Sequence, residues 1–456
     1  MKKNTDILII GGGPAGVVSA ITGKRNYPSK KVMLIRKEGK AIVPCGIPYV
    51  FDRLKSVDED IMSDQPLLDN EVDLIIGEAE EIKADERSVL LKNGDEIVYE
   101  KLILALGSKA DRVPIPGADK EGVWLVKKDY NYLKTLREAV LKSKRVAIIG
   151  GGFIGVEFAE ELSRIKELEV SIIEKADHCL NTNFDKEFSQ EVEDRLKKAG
   201  VRIITGKTIK MIGGDEKAEY LEFKDQEKMP VDLVIFSIGA KPNIELAKKS
   251  GIEISKEGSI VTDEYLRTNL PDIFAVGDCS QSKDFIMDKN ISIMLASVAA
   301  NEGRIAASNL YQLELLKENK GTLGVFSTSI CGLTLGVAGL TENRAKEQKI
   351  DYIIGESEVM NRHPGILPGA EKIKTKLIFS KSCENLLLGG EVIGPESAGE
   401  ILNIIALAIQ KKVSVFDFNT WQIATHPLLT PPPTAYHLIA AAQSALLKIN
   451  KTKITD

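Results

Sequence analysis

Short apolar runs recur along the chain, and several stop at a glycine. Residues 6–20 read DILIIGGGPAGVVSA, and residues 145–159 read RVAIIGGGFIGVEFA. Each copy is an apolar strand pattern, then a glycine turn, then a helix pattern. The second copy begins 139 residues after the first (Asp6 to Arg145), far too long a period for a solenoid repeat. Two separate βαβ units are expected instead. Each has a second buried strand, at residues 31–35 (KVMLI) and 170–173 (VSII). Further strands are expected at 102–106, ending at Gly107, at 232–238, ending at Gly239, and at 272–276, ending at Gly277 and Asp278. Runs that are apolar on both faces suit a parallel or mixed sheet covered by other layers. Beyond about residue 320 the strand–glycine–helix fingerprints stop. Strands are expected at 325–339, 351–359 and 374–393, and helices at 398–410 and 434–449. Pro431, Pro432 and Pro433 are expected to hold an extended segment between two of these elements.

The glycines suggest chemistry. Gly11, Gly13 and Gly16 form one GxGxxG, and Gly150, Gly152 and Gly155 form another. The first glycine permits the tight turn, the second lets backbone approach a pyrophosphate, and the third lets helix and strand pack closely. The phosphate then meets free N–H groups at a helix N-terminus. A lone match is weak, but two copies in the same strand–turn–helix setting point to two dinucleotide sites. An acid at the end of the second strand binds a ribose 2′-hydroxyl. Glu174 holds that place in the second unit and favours NADH over NADPH, whose 2′-phosphate it would repel. In the first unit Arg36 stands there, with Glu38 two residues on. By itself Arg36 reads either as a partner for a 2′-phosphate or as an exposed strand-end arginine beside a ribose-binding Glu38.

Composition narrows the classes. With 456 residues, about three domains are expected at ~150 residues each. Hydrophobic residues make up 43% and charged residues 28%, an ordinary globular balance. Sixty-one Lys and Arg against 66 Asp and Glu leave a net charge of −5, which argues against nucleic-acid binding. The apolar stretch at 401–409 is far short of the ~20 residues of a membrane span. A cytoplasmic protein without a membrane segment is expected. The five cysteines (Cys45, Cys179, Cys279, Cys331 and Cys383) are spaced too widely for CxxC pairs or local zinc motifs, so no metal is expected. Any thiol chemistry rests on one sulfur or on cysteines that folding brings together.

These segments, taken in order, resemble the pyridine nucleotide–disulfide oxidoreductases, flavoproteins that bind two dinucleotides. DILIIGGGPAG resembles the FAD pyrophosphate loop. LILALGS at 102–108 and PIPG at 114–117 resemble the crossing into the NAD domain. RVAIIGGGFIGVEFAEEL resembles the NADH loop. TNLPDIFAVGDC at 268–279 resembles the second FAD segment, in which the counterpart of Asp278 bonds the flavin ribityl chain. The resemblance implies an α/β fold with two Rossmann-like dinucleotide-binding domains and a C-terminal α+β dimerisation domain. The expected boundaries are 1–116 and 244–320 for FAD, 117–243 for NADH and 321–456 for dimerisation. It also gives the first loop to FAD, which has no 2′-phosphate. The family usually has Glu where Arg36 stands.

VPCGIPYVF at 43–51 has no CxxxxC pair and resembles the single-cysteine branch: NADH oxidase, NADH peroxidase, coenzyme A-disulfide reductase and persulfide or polysulfide reductases. There the counterpart of Cys45 lies beside the flavin and cycles between thiolate and an oxidised form. Orphan N–H groups at a helix start near Gly46, Ile47 and Pro48 are expected to lower its pKa and favour thiolate. The other four cysteines are read as inert, with Cys331 a candidate resolving thiol. His426, in ATHPLL, resembles the acid/base that two-cysteine members supply across the dimer; otherwise it is a surface or capping histidine. Tyr436 follows the prolines, near where coenzyme A-disulfide reductases carry a tyrosine motif. Phe153 is either a cover for the flavin or a core aromatic. Glu157 either orients the nicotinamide amide or lies on a solvated helix face. Lys24 and Arg25 are available for coenzyme A phosphates, although Thr22 occupies an earlier, usually basic, position. His178, His363 and His437 are read as structural, with His363 at a possible substrate entrance.

The expected activity is NADH-dependent, FAD-dependent reduction of a small disulfide or persulfide by a homodimer through Cys45, with His426 assisting protonation. Oxygen or peroxide reduction is the alternative. Two readings of another class are an electron-transfer module for a protein partner and a flavin-bound redox sensor.

Overall fold

The computed structural model describes residues 1–111, 114–313, 318–381 and 384–455, with side chains described through residue 450. Cys383, read from sequence as inert, lies outside the described residues.

Strand β1 (Ile7–Ile10) turns through glycines into helix α1 (Pro14–Asn26). Strands β2 (Val32–Arg36), β3 (Asp73–Ile76) and β4 (Lys101–Leu104) follow. The chain then leaves this sheet through β5 (Ser108–Ala110). The second sheet begins at β6 (Val123–Leu125), followed by helix α2 (Tyr130–Lys142), β7 (Arg145–Ile149) and helix α3 (Phe153–Ser163). It continues with β8 (Glu169–Ile173), helix α4 (Lys186–Lys198), β9 (Arg202–Ile204) and β10 (Leu233–Phe236). The return crosses through β11 (Ala240–Pro242) to β12 (Ile273–Ala275) and helix α5 (Ala296–Ser308).

The first sheet has the order β12–β4–β1–β2–β3 and the second β6–β10–β7–β8–β9, and both are wholly parallel. The glycine-loop strand stands at the centre of each sheet. That is where the strand order reverses and ligands bind beyond the carboxyl edge. The two crossings lie side by side, because β5 pairs antiparallel with β11.

The last part is a five-stranded antiparallel sheet. Its strands are β13 (Val325–Ile330), β14 (Leu333–Gly339), β15 (Tyr352–Met360), β16 (Lys372–Ser380) and β17 (Leu387–Gly394), in the order β13–β14–β17–β16–β15. Helices α6 (Ala398–Gln410) and α7 (His437–Thr455) accompany it. The run expected as one helix from residue 434 starts three residues later: Pro433–Ala435 forms a separate single turn, while Pro432 is extended as expected. The expected strand edges elsewhere shift by one or two residues, because glycine and the loops beyond it close the ladders early.

The third sheet docks on the second through buried charge. Lys376 of β16 is 3% exposed. Its Nζ donates to Asp185 Oδ2 at 2.8 Å and to Glu187 Oε1 at 2.7 Å, and lies 2.8 Å from Glu342 Oε2. Burial by itself would lower the lysine pKa, but these three acids outweigh it and hold the ammonium charged. Asp185 also accepts the Glu342 and Asn343 N–H groups, and its own N–H donates to the buried Glu391 at 2.7 Å. Burial, and next the Asp185 charge, raise the Glu391 carboxyl well above its ordinary range. Removing the lysine leaves the buried Asp185 carboxylate without its cation, while Glu187 is exposed and Glu342 keeps Lys346 at 2.7 Å. Lys376→Met is therefore expected to cost about 3–5 kcal/mol, read as a lower midpoint in urea unfolding.

Candidate functional site

Both glycine loops are built as ligand cradles. At Gly11 φ is +118°, and a Cβ there would lie 2.0 Å from the Ala105 carbonyl oxygen. A Cβ on Gly16 would lie 1.9 Å from Gly11 O, and one on Gly155 would lie 2.0 Å from Gly150 O. By contrast, a Cβ at Gly13 or Gly152 meets nothing within 4 Å. These two residues cap α1 and α3 without a side-chain hydrogen bond, so no capping side chain occupies the N–H groups of the first turns. Packed glycines behind and uncapped N–H groups in front fit two pyrophosphates.

Glu174 sits at the β8 edge. Its carboxylate accepts Gly151 N–H at 2.7 Å and Ala176 N–H at 2.8 Å, which pins negative charge beside the second loop. Arg36 departs from both sequence readings. It is 3% exposed, not an exposed strand-end residue, and each of its three guanidinium nitrogens donates. It pairs with both Asp64 oxygens and donates to Glu38 O at 2.8 Å and Gly39 O at 3.1 Å. The reason is local. Gly12 has no side chain, so the arginine packs directly beneath it; a Cβ at Gly12 would lie 2.6 Å from Arg36 Cδ. Arg36 thus shapes the loop that presents Glu38, whose side chain pairs with Lys37 at 3.6 Å.

Cys45 lies in the first turn of the 3-10 helix Pro44–Phe51, which packs on α3. Arg53, just beyond, clamps the two together. It donates to Glu161 and to Glu160 Oε1 (2.8 Å), and its N–H donates to Glu161 Oε2 at 3.0 Å. Phe51 meets Phe158 with ring centroids 5.2 Å apart.

The thiol is exposed, yet enough protein surrounds it that lost hydration is the largest cause raising its pKa. Glu157 adds to the rise, Lys128 opposes it, and Asp60 and Asp278 add further. The expectation of a helix-lowered pKa is therefore corrected. One 3-10 turn carries little dipole, and three carboxylates outweigh one ammonium. The same neighbours show what folding assembles around Cys45: Glu157 from α3, Asp278 from the turn after β12, Lys128 from before α2, and Asp60.

Glu157 is not on a solvated face. Burial pushes its carboxyl up to about 7, and Thr328 Oγ1 of the third sheet donates to its Oε1 at 2.7 Å. Asp278 Oδ2 accepts from Ser108 Oγ at 2.7 Å, and Lys128 Nζ lies 3.2 Å from both of those oxygens. Behind it, buried Glu302 accepts Gly277 N–H at 2.7 Å and Ser280 Oγ–H at 2.9 Å, fixing the turn. Gly277 (φ +73°) shapes this turn, while Gly107 (φ +67°) and Gly239 (φ +112°) lie beside the paired crossings. Phe153 stacks on Phe326 at 5.5 Å and meets Phe184 edge-on, which holds its ring at the start of α3.

Other sequence candidates fall elsewhere. His426 is exposed on a loop where its Nδ1 accepts Leu428 N–H at 3.3 Å, and it is not among the groups acting on Cys45 within one chain. His363 Nδ1 lies 3.0 Å from Thr430 O, and its N–H donates to Pro427 O, so it braces that loop. Tyr436 packs against buried His437, whose pKa burial lowers to about 4. His178 is buried. Lys24 and Arg25 serve the end of α1: Lys24 donates to Pro28 O, and Arg25 donates to Asn70. Thr22 lies on the same helix. Cys179 and Cys279 are fully buried, and burial pushes their thiols well above the ordinary range, which agrees with the inert reading. Cys331 is half-buried with a raised pKa, close enough to Glu160 and Arg53 to feel their charge. Lys128, Asp60 and Thr328 carried no sequence signal, since none belongs to a spaced motif.

Among the described residues, no helix is long and apolar enough to cross a membrane. Residues 5–303 match the pattern of the pyridine nucleotide-disulphide oxidoreductases, and residues 325–435 match the dimerisation domain of the same family. An NADH oxidase of Methanocaldococcus jannaschii is 31% identical over 97% of this chain and 99% of its own. An NAD(P)H coenzyme A polysulfide/persulfide reductase of Pyrococcus horikoshii is 33% identical over 87% of this chain and 88% of its own. The solved structure of an NAD-dependent persulfide reductase from A. fulgidus superposes with a TM-score of 0.87 at 26% identity, covering 99% of this chain and 84% of that one. With two glycine cradles on two parallel sheets and family matches across both parts, the chain belongs to the pyridine nucleotide-disulphide oxidoreductases, FAD-dependent enzymes that draw electrons from NADH or NADPH.

Proposed function

We propose that this protein reduces a small persulfide, polysulfide or disulfide with electrons from NADH, using Cys45 as its one redox thiol. The observation that carries this reading is the convergence of Glu157, Lys128 and Asp278 on a solvent-open Cys45, while Cys179 and Cys279 are buried. In this reading Gly11, Gly13, Gly16, Glu38, Gly107, Gly277 and Asp278 hold FAD. Gly150, Gly152, Gly155, Glu174 and Gly239 hold NADH, and Glu174 disfavours a 2′-phosphate. Residues 1–116 and 244–320 form the FAD domain, 117–243 the NADH domain, and 321–456 the part that pairs two copies.

Bound FAD supplies a two-electron carrier between nicotinamide and sulfur. Cys45 Sγ attacks one sulfur of the acceptor R–S–S–R′, forming Cys45–S–S–R and releasing R′–S⁻. Two electrons drawn from NADH then cleave that bond, returning the thiolate and releasing R–S⁻. Glu157, neutral or charged near pH 7, holds a proton beside the nicotinamide end, and Phe153 would cover the flavin until nicotinamide binds. His426 of the second copy protonates the departing thiolate.

NADH oxidase activity is the second reading, favoured by the end-to-end likeness to the M. jannaschii protein. Anaerobic reduction by NADH, followed by timed reoxidation, separates the two. Polysulfide or coenzyme A disulfide is expected to restore the flavin colour faster than oxygen or hydrogen peroxide does. Faster return with oxygen overturns the first reading in favour of the second.

A further inference from the structure

Behind the Cys45 turn lies a carboxyl that no motif uses. Asp60 ends the short helix Val57–Asp60 and is 4% exposed. Its carbonyl accepts Val43 N–H at 2.8 Å, and Met62 N–H donates to Ala41 O at 2.9 Å. The segment is thereby laced to the chain that leads into Cys45. The Asp60 side chain runs directly under Gly46: a Cβ on Gly46 would stand 1.8 Å from Asp60 Oδ1. Asp60 Oδ2 is buried and has no hydrogen-bond partner among the described residues. An unpaired carboxylate is costly in such a place, and a neutral side chain of the same shape would be easier to bury.

We propose that Asp60 is a positioning residue for Cys45: lodged against Gly46, its carboxyl sets the turn and, through its charge, adds to the opposition the thiolate meets. The proposal rests on Cys45 being the redox thiol. Burial, with no charged partner contributing, raises the Asp60 pKa to about 6. Once ionised, Asp60 opposes the Cys45 thiolate. The other titratable groups nearby have partners or face solvent. On its own helix, Glu59 is exposed and Asp58 binds Lys40 at 3.0 Å and the Tyr130 hydroxyl at 2.5 Å. From α2, Lys134 lies 4.0 Å from Asp58, and Arg137 Nε donates to Val50 O at 2.8 Å. From the Cys45 helix come Cys45 itself and Tyr49, whose hydroxyl burial pushes to about 12.

The sign follows from linkage. The folded pKa of Asp60 lies above its unfolded value. The stability it contributes is therefore full below the ordinary carboxylate range and is lost as pH rises through about 6. Over the same rise, its charge increasingly opposes thiolate formation.

Asp60→Asn and Asp60→Leu test this in the FAD-loaded enzyme, with Cys45 reduced and the reductant removed. The readout is the pH dependence of iodoacetamide labelling at Cys45. Both variants are expected to shift the labelling midpoint to lower pH, with about threefold faster labelling near neutrality. An unmoved midpoint in a folded, yellow variant overturns the proposal. Failure of both neutral variants to fold with flavin also overturns it, since the carboxyl would then be a structural necessity alone. Labelling reads the thiol whatever the acceptor. A shifted midpoint in an enzyme that reduces no sulfur compound would sink the proposed activity and leave this inference standing.

Discussion

Replacing Cys45 with serine leaves NADH able to bleach the flavin colour, but slows persulfide or disulfide reduction by about a thousandfold or more. A hydroxyl is almost never ionised near neutrality, and it cannot form the sulfur–sulfur bond through which the acceptor is cleaved. Among the described residues, no other thiol is exposed. Cys179 and Cys279 are fully buried, with thiols driven far from ionisation. Cys331 lies in the turn between β13 and β14, within the field of Glu160 and Arg53. Cys331→Ser is accordingly expected to keep activity within about twofold. Stopped-flow mixing with NADH reads the first half-reaction, and steady-state turnover with polysulfide reads the second. Unimpaired turnover by Cys45→Ser with a small sulfur acceptor is incompatible with the thiol mechanism. If the rate persists only with a protein acceptor, the chain is an electron-transfer module instead.

The second large effect divides the two glycine loops. Gly16→Ala places a Cβ 1.9 Å from Gly11 O, and Gly155→Ala places one 2.0 Å from Gly150 O and 2.9 Å from Ser237 Oγ. Both clashes are against backbone at the foot of a helix, so neither can be relieved by rotating a side chain. The turn must open, and the N–H groups facing the phosphate move with it. The chemistry of the two losses differs because the loops lie on different sheets. Gly16→Ala is expected to purify nearly colourless. Gly155→Ala is expected to stay yellow but to bind NADH about 10–100-fold more weakly, a loss of about 1.4–2.8 kcal/mol. Visible absorbance of the purified proteins and NADH titration of the flavin fluorescence read the two effects. A colourless Gly155→Ala beside a yellow Gly16→Ala would reverse the loop assignment.

Much of this architecture is legible in sequence because its determinants are local. A strand of four or five apolar residues, a glycine turn and a helix of small residues all lie within one stretch of chain. Residues 6–20 and 145–159 became β1 with α1 and β7 with α3, and helix 398–410 formed over the expected span. The acids at strand ends are legible for the same reason, since Glu174 follows its strand directly. Arg36 shows where local reading stops. Its position was plain, but its burial depended on Asp64 and on the empty space at Gly12.

By itself, then, the chain's pattern determined two dinucleotide cradles, a single candidate thiol and a third, differently textured part. Only the tertiary structure decided the electrostatics of that thiol. Asp60, Lys128, Glu157 and Asp278 are dispersed through the chain, yet all act on Cys45, and Thr328 reaches Glu157 from the third sheet. Backbone conformation is governed by neighbours along the chain, whereas a charge acts according to distance through space and the water excluded between. That is why a helix-start argument predicted a lowered thiol pKa, whereas the water excluded by folding, first, and the assembled carboxylates, second, raised it.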